Sequence, residues 1–324
     1  MSIISKDITK AVALLNNEAV VAIPTETVYG LAGNIYSEKA IRAIFATKQR
    51  PLFNPLIVHI PNMASLTKVA RHIPEKAKLL AEAFWPGPLT LLLPKNTAIP
   101  NLITAGKDTV AVRIPNHPLA LELLNKLDFP LAAPSANPFN RISPTSALHV
   151  EVYFKDQIDM VLDGGPCKSG IESTIIGFEN DKPVLYRFGS IAVEDIANVV
   201  GNLIVKNSTT TKTHTEAAPE APGMLDKHYA PITPTFLTKN IAKTIAIHKG
   251  KRIGLMAFST FTNHKAITHQ IVLSETGNLN EAASKLYAAL HELDSLDLDV
   301  IIAETLPDHG LGKSINDRLR RATF

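Results

Sequence analysis

Residues 20–60 constrain the fold most. Residues 20–23 are an apolar run that reads as a strand. A polar, hydroxyl-rich turn follows, Pro24-Thr25-Glu26-Thr27-Val28-Tyr29-Gly30-Leu31, and Gly30 permits it. Helical spacing of apolar residues predicts an amphipathic helix near 37–47, which delivers Lys48 and Arg50 to a loop stiffened by Pro51 and Pro55. A second apolar strand, 56–60, carries His59 near its end. Two cations, the Asn54 amide, several hydroxyls and an imidazole thus collect on loops at strand ends. Open α/β sheets bind ligands in that kind of place. Singly, each residue has an ordinary alternative. A loop Lys or Arg is often just solvated, and a histidine late in an apolar strand is often a satisfied core residue. The grouping is what points to a site. An arginine held among prolines presents a planar fork suited to phosphate or carboxylate.

The composition sets bounds on the rest. A length of 324 residues corresponds to about two domains. Apolar residues make up 45% and charged residues 19%, which leaves room for real cores. Thirty-three basic against 30 acidic residues give a net charge of +3. That weakly favours anionic ligands, but a nucleic-acid-binding tail would show a dense basic block, and the sequence has none. The one cysteine, Cys167, excludes a disulfide framework within the chain and points to a reducing, cytoplasmic compartment. It sits in Gly164-Gly165-Pro166-Cys167-Lys168-Ser169-Gly170 with one nearby lysine and reads as an incidental thiol. Residues 1–10 contain no apolar signal core, and no run reaches the ~18 apolar residues of a membrane span, so no membrane partner is expected.

Along the chain, Ser5 reads as an N-cap before Ile8, Ala11, Val12 and Leu15 at helical spacing. Residues 62–84 read as helical with a break at Pro74, and Trp85-Pro86-Gly87-Pro88 as a rigid turn into a strand at 89–93, with Trp85 in the core. Residues 110–115 form a short strand with a cation inside it. Arg113 there must be paired or reach a ligand, since an unpaired buried charge is costly; half-exposure at the strand end is the ordinary alternative. A helix at 117–127 leads to Leu131-Ala132-Ala133-Pro134-Ser135-Ala136-Asn137-Pro138 and Ser143-Pro144-Thr145. Small residues there let backbone approach a ligand, although Ser, Asn and Pro are also common turn residues. Strands follow at 160–162, 173–178 and 184–189, the last bearing Arg187, and then a helix at 193–200. The span reads as a mixed α/β layer structure.

Residues 207–222, rich in Thr, Ser, Ala and Pro, cannot bury a core and read as a linker. It ends in Gly223-Met224-Leu225-Asp226-Lys227-His228-Tyr229-Ala230-Pro231. Strands at 252–257, 271–273 and 300–303 alternate with helices at 279–293 and 313–321, which predicts a small three-layer α/β unit. The glycines fit no dinucleotide fingerprint, and no phosphate-binding GxxxxGK[ST] loop occurs. No Cys/His cluster is present, so no protein-bound transition metal is expected; Mg²⁺ would arrive with a nucleotide.

Together these motifs resemble a family. Lys48-x-Arg50 with Ser135-x-Asn137 is similar to the signature of the YrdC-like proteins, as are the 24–31 turn, Asn54-Pro55-Leu56-Ile57-Val58-His59 and Glu172-Ser173-Thr174. Pro222-Gly223-Met224, His228-Tyr229-Ala230-Pro231, Gly310-Leu311-Gly312 and Asn316-Asp317-Arg318-Leu319 resemble the long, two-domain form, an L-threonylcarbamoyladenylate synthase. The resemblance covers nearly the whole chain. It implies a YrdC-like α/β unit with a large twisted mixed sheet over 1–204. It further implies a linker or lid over 205–232 and a smaller Rossmann-like three-layer α/β unit over 233–324.

The implied reaction turns L-threonine, bicarbonate and ATP into threonylcarbamoyl-AMP and pyrophosphate. The product feeds N6-threonylcarbamoyladenosine formation in tRNA, carried out by downstream transfer proteins. The implied phosphate ligands are Lys48, Arg50 and Arg187, with Lys48 and Arg50 as the catalytic cations. Asn54, Thr109, Ser135, Asn137 and Ser143 would complete the ATP cradle, with Tyr229 reaching over the nucleotide. Thr27, His59, Arg113, Ser173 and the Ala133 backbone would hold threonine. Two other readings compete. A basic concave face would bind double-stranded RNA by shape, with steep salt dependence, but the charge is near neutral. A carbamoyltransferase of the related kind carries a zinc-finger-like segment, which one cysteine cannot supply.

Overall fold

The computed structural model describes residues 3–206, 219–224 and 228–323. The first eleven strands are Ile3–Ser5 (β1), Val21–Ile23 (β2), Gly30–Asn34 (β3), Ile57–His59 (β4), Leu89–Pro94 (β5), Thr109–Arg113 (β6), Leu131–Ala132 (β7), Met160–Leu162 (β8), Thr174–Glu179 (β9), Lys182–Arg187 (β10) and Ile204–Val205 (β11). They form one mixed sheet in the order β1-β8-β2-β3-β7-β4-β6-β5-β9-β10-β11. Its helices are Ile8–Asn16 (α1), Glu38–Lys48 (α2), Leu66–Val69 (α3), Glu75–Phe84 (α4), Asn101–Thr104 (α5), Pro118–Asn125 (α6), Ala147–Phe154 (α7) and Val193–Val200 (α8). A smaller unit follows with strands Thr235–Thr238 (β12), Ile253–Ala257 (β13), Ile267–Val272 (β14) and Val300–Glu304 (β15), and helices Ile241–Ile247 (α9), Leu279–Ser295 (α10) and Leu311–Ala322 (α11).

The large sheet is covered on both faces, because its strands alternate their side chains between two cores. Val21, Ile23 and Ala32 pack with Leu15 of α1 and Leu123 of α6, while Ala22 and Leu31 pack with Ile44 of α2, Leu80 of α4 and Ile196 of α8. The four strands of the small unit are all parallel, in the order β12-β15-β13-β14. Leu255 and Ile302 face Ile245 of α9, and Met256 and Ile301 face α10 and α11. That is the three-layer arrangement expected from the sequence. Among the described residues no helix is long and apolar enough to cross a membrane.

Two local features place the functional side chains. Ser37 caps α2 through its side chain, and Gln49 closes it in the left-handed region at φ 51°. The chain therefore leaves the helix sharply after Lys48, and the Arg50 N–H returns to the Phe45 carbonyl. Separately, β4 and β6 pair in parallel with His59 opposite Arg113, so imidazole and guanidinium reach the same sheet edge. β9 and β10 pair antiparallel with Ile175 opposite Arg187, and β5 links β9 to β6. The start of β9 and the end of β10 therefore lie at that edge too.

Several boundaries differ from the expectation. Ser5 lies in β1 opposite Leu162, and Asp7 caps α1 instead, accepting from the Lys10 N–H at 3.0 Å. Gly30 and Leu31, expected to belong to a turn, open β3, and residues 32–34, to which no element was assigned, continue it. Its small residues hide a strand signal because the site and α2 press on it. A Cβ on Gly30 would lie 3.1 Å from the Ala133 Cβ, and one on Gly33 would lie 3.2 Å from Ile44. The strand expected at 271–273 begins earlier, at Ile267, and β7, β11, β12, α5, α7 and α9 carry no clear period in the sequence.

Candidate active site

Thr27, Arg50, His59, Arg113, Ala133, Ser135, Ser173, Arg187 and Tyr229 line one cavity at the strand ends. At one end of it the 24–31 turn is folded on itself. The Thr25 hydroxyl donates to the Val28 carbonyl at 2.7 Å and bonds the Thr27 hydroxyl at 2.8 Å. Arg113 is the partner of that turn. It donates to Thr27 Oγ1 at 2.9 Å and to the Gly87 carbonyl at 3.2 Å, and it pairs with Glu26 at 2.6 Å. His59 beside it is buried, and its Nδ1 has no hydrogen-bond partner among the described residues. Burial and the neighbouring Arg113 charge pull the His59 imidazole down to about 3, so it is neutral at ordinary pH.

The other end is built from cations with a different kind of partner. Arg50 donates to the Asn54 carbonyl at 3.4 Å and the Pro55 carbonyl at 3.0 Å. Arg187 donates to the Ser173 carbonyl at 2.8 Å, the Ser173 hydroxyl at 3.0 Å and the Pro222 carbonyl at 3.3 Å. Both are buried, and neither meets a carboxylate at ion-pair distance among the described residues. Burial, with Arg187 nearby, pulls the Arg50 guanidinium down to about 9. Ser173 also bonds Thr90 at 2.8 Å, which fixes its hydroxyl at the head of β9.

Five of the expected residues stand behind the cavity wall or away from it. Lys48 is buried, and its ammonium donates to the Ser135 and Asn137 carbonyls, clasping that loop to the end of α2. Asn54 is fully buried, with both side-chain polar atoms unpartnered among the described residues. Asn137 donates to the Pro138 and Arg141 carbonyls, and its Oδ1 is left without a partner. Ser143 donates to Glu172 at 2.6 Å. Thr109 is half-buried at the opposite end of β6 from Arg113, about 13 Å away at the usual rise of a strand.

Residues 222, 223, 228 and 229 close the cavity, leaving a volume of about 50 Å³. Nucleotide-sized pockets run to roughly 300–1,000 Å³, so this arrangement is contracted around its own chain. Tyr229 is buried at φ 64° between Tyr287, whose ring centroid is 5.7 Å away, and Arg318, whose guanidinium carbon is 4.9 Å from its ring centroid. The rest of the expected linker, residues 207–218 and 225–227, lies outside the described residues.

Comparison with known proteins decides the family. Residues 13–189 match the Sua5, YciO and YrdC family model, described as telomere recombination. Residues 191–323 match the threonylcarbamoyl-AMP synthase C-terminal domain. Threonylcarbamoyl-AMP synthases of Pyrococcus abyssi and Bacillus subtilis are each 40% identical to the chain over 97% of its length and 93% and 92% of theirs. The chain belongs to the threonylcarbamoyl-AMP synthase family. The crystal structure of P. abyssi Sua5 complexed with L-threonine superposes with a TM-score of 0.91 at 38% identity, covering 100% of this chain and 97% of that one. The fold alone is shared with Escherichia coli YciO, at a TM-score of 0.52 and 23% identity over 58% of this chain and 96% of that one.

The synthase fold also brings in residues to which the sequence reading gave no role. Glu26 and Glu172 stood inside quoted motifs, yet each proves to be a buried carboxylate bound to an arginine, Arg113 and Arg318 respectively. Burial alone would raise the Glu172 carboxyl, but Arg318 and Arg187 and two hydrogen bonds take it down to about 2. Pairings of residues 87 and 146 positions apart leave no local signal. Cys167 is buried, and burial pushes its thiol up to about 12, which fits the incidental role expected of it.

Proposed function

We propose that the chain makes threonylcarbamoyl-AMP and pyrophosphate from L-threonine, bicarbonate and ATP, for the N6-threonylcarbamoyladenosine of tRNA. The observation that carries this reading is the pair Arg50 and Arg187, two buried guanidiniums on one cavity whose donors, among the described residues, meet only carbonyls and a hydroxyl. Buried positive charge is costly until an anion meets it, and a triphosphate is such an anion. Asn54, with its unpartnered amide, supports the same assignment. Lys48 fixes the loop that presents Ser135, with Asn137 and Ser143 behind the cavity wall and Thr109 beyond it as the nucleotide's outer surroundings in this reading. Arg113 takes the threonine carboxylate, and Thr27, neutral His59, Ser173 and the Ala133 backbone hold the rest of the amino acid.

Threonine's ammonium first loses a proton. Its nitrogen bonds the carbon of bicarbonate, and water leaves to give the carbamate. A carbamate oxygen then attacks the α-phosphorus, the α–β bridging bond breaks, and pyrophosphate departs with the electron pair. Negative charge shifts among phosphate oxygens, so fixed cations lower the barrier without a protein nucleophile. Magnesium would be held by the nucleotide's own phosphates, since Glu172, the carboxylate on the cavity wall, is already bound to Arg318. The small cavity supports a reading in which Pro222, Gly223, His228 and Tyr229 move aside for substrate and cover it afterwards, excluding water from a labile carbamate. The product is handed to threonylcarbamoyl-transfer proteins, in the cytoplasm.

Product analysis tests the reading. The protein is incubated with ATP, Mg²⁺, L-threonine and bicarbonate, and threonylcarbamoyl-AMP and pyrophosphate are sought by chromatography with mass detection. Product is expected only with threonine and bicarbonate, and not with serine or with Arg50→Ala. Nucleotide left intact in every arm would sink the reading.

A further inference from the structure

Helix α11 is unusual for a buried element. Nearly every residue from Leu311 to Ala322 is buried, yet the helix carries Ser314, Asn316, Asp317, Arg318 and Arg321 on its inner surface. A polar helix survives burial only when each polar group is met. Here they are. Asn316 exchanges both amide bonds with Leu306, donating to its carbonyl at 2.9 Å and accepting from its N–H at 3.0 Å. That fixes the base of the helix within the small unit. Ser314, Arg318 and Arg321 cross to the large unit or to the segment between them, while Asp317 accepts from Arg318 and Arg321 within the helix. Ser314 donates to the Gly189 carbonyl at 2.8 Å. Arg318 donates to the Phe188 carbonyl at 2.6 Å and to Glu172 at 2.8 Å, braced by Asp317 at 2.7 Å. Arg321 donates to the Gly223 carbonyl at 3.1 Å.

Tyr287 of α10 adds a second arm to the same target. Its hydroxyl lies 3.1 Å and 3.0 Å from the two oxygens of Glu172, and its ring stacks on Tyr229. Glu172 is thus held on three sides, by Arg318, Tyr287 and the Ser143 hydroxyl. It also lines the cavity, next in sequence to Ser173, which orients Arg187. A bare carboxylate on that wall would repel a phosphate. With Arg318 behind it, its charge is answered from the side away from the ligand.

We propose that the second unit is a working part of the nucleotide site, in which Arg318 and Tyr287 are positioning residues that hold Glu172, Ser143 and Tyr229 in the arrangement that receives the triphosphate. The proposal rests on the synthase reading. Neither residue lines the cavity, so neither touches substrate; both act through groups that do. Their reach is one-sided. Among the described residues they contact nothing at the Arg113, Thr27 and His59 end, so threonine affinity is the internal control.

The test is isothermal titration of the full chain with ATP plus Mg²⁺ and, separately, with L-threonine. Arg318→Met removes the charge with little loss of volume. It is expected to weaken ATP binding by about thirtyfold, the lower end for truncating one partner of a buried charge pair, while threonine affinity stays within about twofold. Arg318→Met with Glu172→Gln is expected to recover much of the loss, because the stranded carboxylate is gone. Tyr287→Phe removes one hydroxyl from an otherwise intact ring and is expected to cost about threefold in ATP affinity; it carries the test if Arg318→Met does not fold. Folded variants with unchanged ATP affinity, or with ATP and threonine affinity falling by the same factor, overturn the proposal. Wild-type turnover is assayed in the same preparation. A wild-type chain that binds both ligands but makes no product overturns the synthase reading and leaves the positioning comparison standing, and one that binds no ATP overturns both.

Discussion

The two ends of the cavity hold buried guanidiniums in opposite electrostatic states. Arg113 already has a carboxylate, Glu26 at 2.6 Å, together with a hydroxyl from Thr27. Arg50 and Arg187 have carbonyls and one hydroxyl, and they repel each other. The first end is close to neutral before any ligand arrives, which suits an amino acid that brings one charge of each sign. The second end carries charge in excess, which suits a ligand with several negative charges. The difference is set by which loop meets which strand end. The 24–31 turn places Glu26 against β6, whereas the proline-rich loop after α2 offers Arg50 only main chain.

If that contrast holds, the two arginines respond differently to removal. Arg50→Met should give the largest effect on chemistry, a fall in kcat/KM of about 10²- to 10³-fold, as for loss of a fixed group that stabilises developing charge. Its stability should stay the same or rise, because an unanswered buried charge has gone and an apolar stem replaces it. Urea unfolding beside steady-state product formation checks both halves. An Arg50→Met protein that is several kcal/mol less stable would show that the carbonyl contacts hold the fold together.

Arg113→Met should behave in the opposite way. It strands Glu26, a buried carboxylate whose oxygens have no other partner among the described residues, and the expected cost is about 3 kcal/mol of folding stability. Glu26→Gln in the same chain should return much of it. Threonine binding should be lost in both proteins, since the carboxylate ligand is missing in both. Denaturation midpoints for the single and double variants decide this. An additive result would mean that the two side chains do not act as a pair.

Much of this arrangement was legible in the sequence, and the limits have physical causes. The cations were visible because Arg113 and Arg187 sit in apolar strands, where a charge must have a purpose, and because Arg50 follows a helix between prolines. The carboxylates that balance them were not assigned, since a pairing such as Glu172 with Arg318 is made by the fold and leaves no local pattern. β3 was missed because Gly30 and Gly33 answer to close neighbours rather than to strand propensity. The family resemblance implies one phosphate-binding role for Lys48 and Arg50 and says nothing of what else the Lys48 ammonium meets. Only the fold places its ammonium on the Ser135 and Asn137 carbonyls.

The smallest effect should appear in the pH dependence of stability, where His59 at one end and Glu172 at the other separate into two windows. His59 has an ordinary value of 6.5 that burial and Arg113 take down to about 3 in the folded chain. Between those values the unfolded chain binds a proton that the folded chain refuses, so stability falls as pH falls from 6.5 toward 3. Glu172 goes from 4.5 down to about 2, held there by Arg318 and Arg187 against the effect of burial. Its contribution is whole above 4.5 and is lost only as pH drops below that. From pH 6.5 to 4.5 His59 at the Arg113 end therefore titrates without Glu172 at the nucleotide end. His59→Gln should flatten the slope there by about one proton, or about 1.4 kcal/mol per pH unit. His149, lowered to about 4, His291, lowered to about 3, and His117 and His228, both lowered by burial, supply the slope that remains. Glu172→Gln should leave that window unchanged and flatten the curve only below pH 4.5. Urea unfolding at half-unit steps of pH for the three proteins provides the comparison. Equal flattening by both variants between pH 6.5 and 4.5 would mean that the two ends share one electrostatic field, and the contrast between a balanced and an unbalanced end would fall.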